Sequence, residues 1–325
     1  MNKTILVVGG AGYIGSHTSF LLHQAGYKVV ILDKFVYDQP FDLPIVEVIK
    51  SDVADEKVLN SIFKKYKIEA VMHFAASIEV GESVKHPTKF YDNNVVKTLK
   101  LLDAMVLHGV NNFVFSSSCA VYGNPIKVPI DETHPFAPIS PYGKNKLIVE
   151  YALQDYAIAY GLKSVSLRYF NAAGALPEEG LGECHIPETH VIPLLLMAAL
   201  QNKPFTIFGD DYNTADGTCV RDYIHVLDIA QAHVLALQYL ETADSSNVFN
   251  LGSEKGYSVL QLLQVVKEVV GVEVAVNFAL RRGGDVDVLV ADATKIKNLL
   301  GWKAQHSTLQ NIVKTALNWH LKRLI

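Results

Sequence analysis

The feature that most constrains this chain lies at its start. The apolar run "TILVV" ends at Gly9, and glycines recur at Gly12 and Gly15 in "GGAGYIG" before the spacing turns helical in "GSHTSFLLHQAG". A short, wholly apolar run reads as a strand buried on both faces, and the change of period after it reads as a strand–turn–helix unit. Glycine permits the tight turn and a close approach of the backbone to an anion. The helix that follows offers free N–H groups and the positive end of its dipole at the same point. A second buried run, "YKVVILD", ends in Asp33, whose carboxylate suits both hydroxyls of an adenosine ribose and repels a 2′-phosphate. Gly9, Gly12, Gly15 and Asp33 therefore predict a dinucleotide site for NAD in preference to NADP, with Lys34 as the adjacent cation that argues the other way.

The theme repeats. "EAVMHFAA", "NNFVFSSS" and "LKSVSLRYF" are further buried runs, with helical stretches such as "VVKTLKLLDAMVLHG" between them. This alternation predicts an α/β fold, a Rossmann-type doubly wound parallel sheet with helices on both faces. The stretch between Asp33 and Asp52, which holds Pro40 and Pro44, is expected to be loop plus one short strand. After Asn171 the texture changes: "AAGALPEEGLGECHIPETH" reads as a long ordered loop, and helices with short strands follow it. The expectation is an NAD-binding domain over 1–171 and a smaller, discontinuous α/β substrate domain over 172–325, with a strand near 247–252 rejoining the first sheet.

Composition removes other classes. Half of the 325 residues are hydrophobic and 19% are charged, enough for a packed core and against disorder. A net charge of −4 gives no electrostatic reason to expect nucleic acid or anionic membrane as a partner. The longest apolar run, 191–200, is too short to span a bilayer and contains Pro193. Cys119, Cys184 and Cys219 form no C-x-x-C pair, and their odd count suits a reducing, cytoplasmic setting. His185 and His190 lie near Cys184, but a zinc site needs more ligands at better spacing, so no metal is expected.

Tyr142 and Lys146 in "SPYGKNK" stand four residues apart, on one face of a helix that Pro141 is suited to begin. A free tyrosine titrates near pH ~10, so an adjacent ammonium and a cationic nicotinamide ring would be needed to favour phenolate. Tyr142 then has the means to exchange a proton with a substrate hydroxyl, and Ser118, at the end of "FVFSSS", can hydrogen-bond the same oxygen. With the glycine turn upstream, this constellation resembles the short-chain dehydrogenase/reductase superfamily in its extended form.

The resemblance narrows further. "GGAGYIGSHT", "VGESV", "FYDNNV", "SSSCAVYG", "SPYGKNKL", "LRYFNAAGA", "IFGDDYNTADGTCVRDYIHV" and "RRGGD" are similar, in order and spacing, to the UDP-glucose 4-epimerase family, over nearly the whole chain. The resemblance implies Ser118, Tyr142 and Lys146 as the catalytic set. Around NAD it implies Gly9, Gly12, Tyr13, Ile14, Gly15, Asp33, Lys34, Asp52, Val53, Phe74, Ala75, Ala76, Asn93, Ser116, Tyr142, Lys146 and Tyr169. Around a UDP-sugar it implies Ser118, Tyr142, Phe170, Asn171, His190, Val191, Phe208, Arg221, Tyr223, Arg282, Asp285 and Leu289. The implied reaction interconverts UDP-galactose and UDP-glucose: transient oxidation at carbon 4, rotation of the 4-keto sugar, and hydride return to its other face. The family usually dimerises through two helices of the nucleotide domain, and "VVKTLKLLDAMVLHG" with "KLIVEYALQDYAIAYG" are suited to that role.

Three departures bear on this expectation. Ile78 replaces a lysine often found near the cofactor, which predicts weaker retention of NAD. "IPETHVIP" replaces "IPNN", with His190 where asparagine is usual. Leu289 is smaller than the tyrosine some members carry beside the sugar's 2-position, and predicts tolerance of an N-acetyl group. A dehydratase of the same superfamily would need a carboxylic acid pair after the catalytic hydroxyl, where this chain has Cys119 and Ala120. A uronate or pentose epimerase, and a non-catalytic NAD sensor, remain as alternatives at this stage.

Overall fold

The computed structural model describes residues 3–36, 43, 47–282 and 285–324. The expected loop with Pro40 and Pro44, and Gly283 and Gly284 of "RRGGD", lie outside the described residues. The strands are β1 (Thr4–Val8), β2 (Lys28–Asp33), β3 (Glu47–Lys50), β4 (Ile68–His73), β5 (Asn112–Ser116), β6 (Lys163–Tyr169), β7 (Asn171–Ala173), β8 (Phe205–Phe208), β9 (Val220–His225), β10 (Asn247–Leu251), β11 (Gly256–Ser258), β12 (Val276–Ala279) and β13 (Val288–Leu289). The helices are α1 (Tyr13–Gln24), α2 (Glu56–Lys65), α3 (Val80–Lys85), α4 (Pro87–Tyr91), α5 (Lys97–Leu107), α6 (Pro141–Tyr160), α7 (Val191–Gln201), α8 (Val226–Thr242), α9 (Val259–Val270), α10 (Thr294–Leu300) and α11 (Leu309–Leu324).

Seven parallel strands form the main sheet in the order β10-β6-β5-β4-β1-β2-β3, so the strand order reverses between β1 and β4. In a doubly wound sheet a ligand crevice opens at that reversal, beyond the carboxyl ends of the strands. Alternate residues of β1 serve opposite faces. Ile5 and Val7 join Leu22, Ile229 and Leu237 on one side, while Leu6 and Val8 join Leu59, Leu101 and Phe113 on the other. Each such aliphatic side chain, fully buried, contributes about 1.5–3 kcal/mol.

Beyond Asn171 the chain forms two short sheets, β11-β9-β13 with β7 paired to β9, and β12-β8. They pack with α7, α9 and α11 around a separate core containing Leu195, Leu262, Val266 and Ile312. As the sequence suggests, β10 returns to the large sheet, in parallel register on β6. The helix α8 returns as well, setting Ile229, Ala232 and Leu237 into the core under α1. The region 172–190 is less of a loop than its composition suggests: Asn171–Ala173 pairs with β9, and Leu176 bridges Leu181. Among the described residues no helix is long and apolar enough to cross a membrane.

Candidate active site

The glycine turn is shaped by contact. Gly9 has φ +78°, and a Cβ there would lie 2.4 Å from the Ala75 nitrogen, on the loop after β4. A Cβ on Gly15 would lie 2.1 Å from the Gly9 carbonyl, so the first turn of α1 approaches β1 as only glycine allows. Asp33 secures this turn: its Oδ2 accepts the Ala11 N–H at 3.0 Å and its Oδ1 the Phe35 N–H at 2.7 Å. Lys34, the residue that clouded the choice of cofactor, turns to Asp52 at 3.3 Å, and Lys97 reaches the same carboxylate at 2.7 Å. Burial alone would raise Asp52, but hydrogen bonds from Lys97, the Ala54 N–H and Lys34 hold it down to about 2. Val53 is buried beside it, Ile14 packs on the core, and Tyr13 donates to the Gly174 carbonyl at 2.6 Å. A cradle that only glycine fits, closed by a carboxylate at the second strand, suits a dinucleotide without a 2′-phosphate.

Phe74, Ala75 and Ala76 leave β4 toward this turn, the Phe74 N–H donating to the Val8 carbonyl at 2.8 Å. Their continuation is clamped by Asn94, whose side chain accepts from the Ser77 N–H at 2.8 Å and donates to the Ser77 carbonyl at 2.9 Å. Asn94 belongs to a wide π-type turn, Asp92–Val96, between α4 and α5, and Asn93 donates to it at 3.2 Å. Such single wide turns recur at functional sites.

The helix α6 begins as the sequence suggests, with Ser140 capping the Gly143 N–H at 3.1 Å and Pro141 in the first turn. A cap of this kind contributes about 1 kcal/mol. Tyr142, Lys146 and Glu150 follow one another at four-residue spacing along its buried face. Burial pushes the Tyr142 phenol well above its usual range, Tyr169 adds to this, and a hydrogen bond with Ser118 opposes it. Burial likewise lowers the Lys146 ammonium to about 7, against the attraction of Glu150. The Lys146 Nζ donates to the Ser116 carbonyl at 2.6 Å and lies 5.7 Å from the Tyr142 ring centre. Ser116 and Tyr169 are joined through their hydroxyls. Ser118 ends the segment after β5 and accepts from the Ala120 N–H at 3.2 Å. Thus Ser118, Tyr142, Lys146, Ser116 and Tyr169 stand together at the carboxyl ends of β5 and β6.

Gly143 has a different role from the one its place beside Tyr142 suggests. A Cβ there would lie 2.4 Å from the Ala120 carbonyl, so it admits the serine segment against α6 instead of leaving room for a ligand. Cys119 is buried, and burial pushes its thiol up to about 12, unlike a reactive thiolate.

The second group of candidates gathers on β9. Register pairs Asn171 with Tyr223 and Leu289 with Arg221, both on β9. Phe170 is buried beside Cys119, and Leu289 packs on the same cluster. Arg282 donates to Asp285 at 3.0 Å and lies 5.1 Å from the Phe208 ring centre, while Arg221 is 4.0 Å from Asp285. Two guanidinium groups sharing one carboxylate suit the binding of a dianion. Val191 opens α7 and packs on the second core, next to Tyr223. His190 precedes it, its Nδ1 2.8 Å from Glu188 and 2.9 Å from Glu183. Sequence reasoning assigned no role to Asn94, Glu150 or Ser83. Ser83 accepts the Tyr142 N–H at 3.2 Å, and a carboxylate one turn beyond Lys146 was the available clue to Glu150.

Comparison with known proteins gives the family and its relatives. Residues 5–252 match the model of the NAD dependent epimerase/dehydratase family. A UDP-glucose 4-epimerase of Rhizobium meliloti (strain 1021) is 50% identical over 325 residues, covering 99% of this chain and 98% of that protein. The crystal structure of UDP-glucose 4-epimerase from Brucella ovis, in complex with NAD, superposes with a TM-score of 0.93 at 46% identity, covering 97% of each chain. A UDP-glucose-4-epimerase structure from Stenotrophomonas maltophila, with bound NAD and formylated UDP-arabinopyranose, gives a TM-score of 0.94 at 39% identity over 100% of both chains.

Proposed function

The chain belongs to the NAD dependent epimerase/dehydratase family, and from that premise we propose that it interconverts UDP-galactose and UDP-glucose by inverting carbon 4 of the hexose. The observation that carries the reading is the meeting of Ser118, Tyr142 and Lys146 beside a glycine turn, with Cys119 and Ala120 where a dehydratase would need acids. When bound, NAD supplies the reversible oxidation at carbon 4. We assign its phosphates and adenosine to Gly9, Gly12, Gly15, Asp33 and Asp52, and its nicotinamide ribose to Tyr142 and Lys146. Tyr142 takes the proton of the 4-hydroxyl and later returns it to the same oxygen, which Ser118 holds by a hydrogen bond. In its protonated form Lys146 would lower the cost of the phenolate that burial opposes.

Arg221 and Arg282 hold the diphosphate, with Phe208 and Tyr223 beside the base or sugar and Asn171 at the sugar end. This division anchors the nucleotide while the 4-keto sugar turns over. A second reading concerns its scope. Leu289 packs on the cluster that contains Phe170 and Cys119 and supports acceptance of a UDP-N-acetylhexosamine. Pentose epimerisation is the competing reading, since a relative holds a formylated UDP-arabinopyranose.

The decisive experiment mixes the purified protein with UDP-galactose, without added NAD, and follows UDP-glucose. Turnover that disappears in Tyr142→Phe supports the reading; absence of turnover with either UDP-hexose, both without and with added NAD, overturns it. A parallel assay with UDP-N-acetylgalactosamine tests Leu289, and no turnover at saturation removes the broader scope. The chain is proposed to act in the cytoplasm as a homodimer. Apolar exposed residues recur along α6 at Ile148, Tyr151 and Ile158 and along the neighbouring turn and α5 at Val96 and Leu107. The two helices are tied by the Tyr156 hydroxyl donating to Asp103 at 2.5 Å. Sedimentation of Ile158→Glu as a dimer would refute this face.

A further inference from the structure

The segment 181–190, of which only His190 was implied beside the UDP-sugar, brings two histidines and two glutamates to one point. Glu183 is buried at 5% exposure, and its Oε1 lies 2.9 Å from the Nδ1 of His185 and 2.9 Å from the Nδ1 of His190. The Oε1 of Glu188 is 2.8 Å from that same His190 nitrogen. The donor atoms of Glu183, His185 and His190 all lie within 4.8 Å of one another. In sequence only two histidines and Cys184 suggested a ligand set, and that was too few; folding adds the carboxylates.

We propose that Glu183, His185 and His190 bind a divalent transition metal, with zinc the best match, and that Glu188 is the fourth ligand or orients His190. Histidine nitrogen and carboxylate oxygen are zinc donors at about 2.0–2.2 Å, which sets ligand-to-ligand distances near 3.3 Å in a tetrahedron. Contacts of 2.8–2.9 Å need to open by only about half an ångström to admit the ion.

The surroundings are built to hold these groups. The Trp319 Nε1 donates to the Glu183 carbonyl at 2.8 Å, and a Cβ on Gly182 would lie 2.3 Å from the Trp319 ring. The Glu188 Oε1 is also fixed by the N–H groups of Thr189 at 2.7 Å and His190 at 2.8 Å. The ion would tie the segment into one piece with the start of α7. Cation affinity of this kind is independent of which sugar the protein turns over.

The test uses the full, untagged protein, stripped with chelator and titrated with Co²⁺. The expected result is about one equivalent bound with the intense visible bands of tetrahedral Co²⁺, displaced by Zn²⁺ and lost in Glu183→Gln and His185→Ala. A spectrum that stays that of hydrated Co²⁺ overturns the proposal. So do a thiolate charge-transfer band, which would move the site to a cysteine, and bands unchanged in a correctly folded His185→Ala. The wild-type spectrum alone is decisive should either variant fail to fold.

Discussion

Ser118, Tyr142 and Lys146 are 8%, 8% and 4% exposed on the large sheet, whereas the Arg282 side chain and Phe208 on the shorter elements are 56% and 40% exposed. The first group is held by the packed interior: a capped helix, a backbone carbonyl under Lys146 and a glycine contact that sets the serine segment against α6. The second is held by exchangeable ion pairs, with Asp285 shared between two arginines. Proton transfer gains from groups already in place, because their reorganisation cost is met during folding. A grip on a flexible nucleotide-sugar gains from groups that can change partners.

If the contrast is real, substitutions on the two sides should separate in kinetics. Tyr142→Phe has the largest expected effect, a loss of kcat of about 10³-fold with KM nearly unchanged. A large rise in KM instead would mean the tyrosine grips the substrate more than it moves a proton. Arg282→Ala should do the reverse. Losing a charge-assisted contact costs about 1.5–3 kcal/mol, or roughly 10–100-fold in kcat/KM, carried by KM. Equal losses in kcat and kcat/KM would erase the distinction between the two walls.

Gly143→Ala probes the rigid side without touching a reacting group. Its Cβ meets the Ala120 carbonyl at 2.4 Å, so destabilisation of about 1–3 kcal/mol is expected by thermal or denaturant unfolding. Asp52→Asn should have the smallest effect. Because the folded-state pKa of Asp52 is lowered to about 2, its ion pairs stabilise the fold above the unfolded value of about 3.8. That contribution disappears as pH falls through about 2. The carboxylate is half-buried but still reached by solvent, so the difference between wild type and variant should stay below about 1 kcal/mol and shrink with salt. A difference that grew on acidification would contradict the pairing with Lys97 and Lys34.

The rigid side was also the side visible in sequence. Apolar runs closed by glycine, and Tyr142 with Lys146 at helical spacing, are local patterns, and local patterns carry their geometry with them. The return of "NVFNLG" to the large sheet was readable from its apolar run. The cross-strand neighbours of β9 were not, because Asn171, Arg221, Tyr223 and Leu289 meet only when short strands far apart in sequence pair. The resemblance gathered those residues; spacing alone could not. The packing role of Gly143 was hidden for a similar reason, since the atom it avoids belongs to Ala120, on another segment. The wide turn that positions Asn94 lies within an ordinary helical pattern and leaves no mark on it.

The return of α8 and β10 has a practical consequence for anyone dividing this protein. Cut after Asn171, the amino-terminal piece would lose the cover that Ile229 and Leu237 give its sheet, and β6 would become a bare edge without Asn247–Leu251. An uncovered parallel edge of apolar residues recruits other chains. The piece that carries the whole catalytic set should therefore accumulate as insoluble material when expressed alone, and regain solubility only when the later segment is supplied with it.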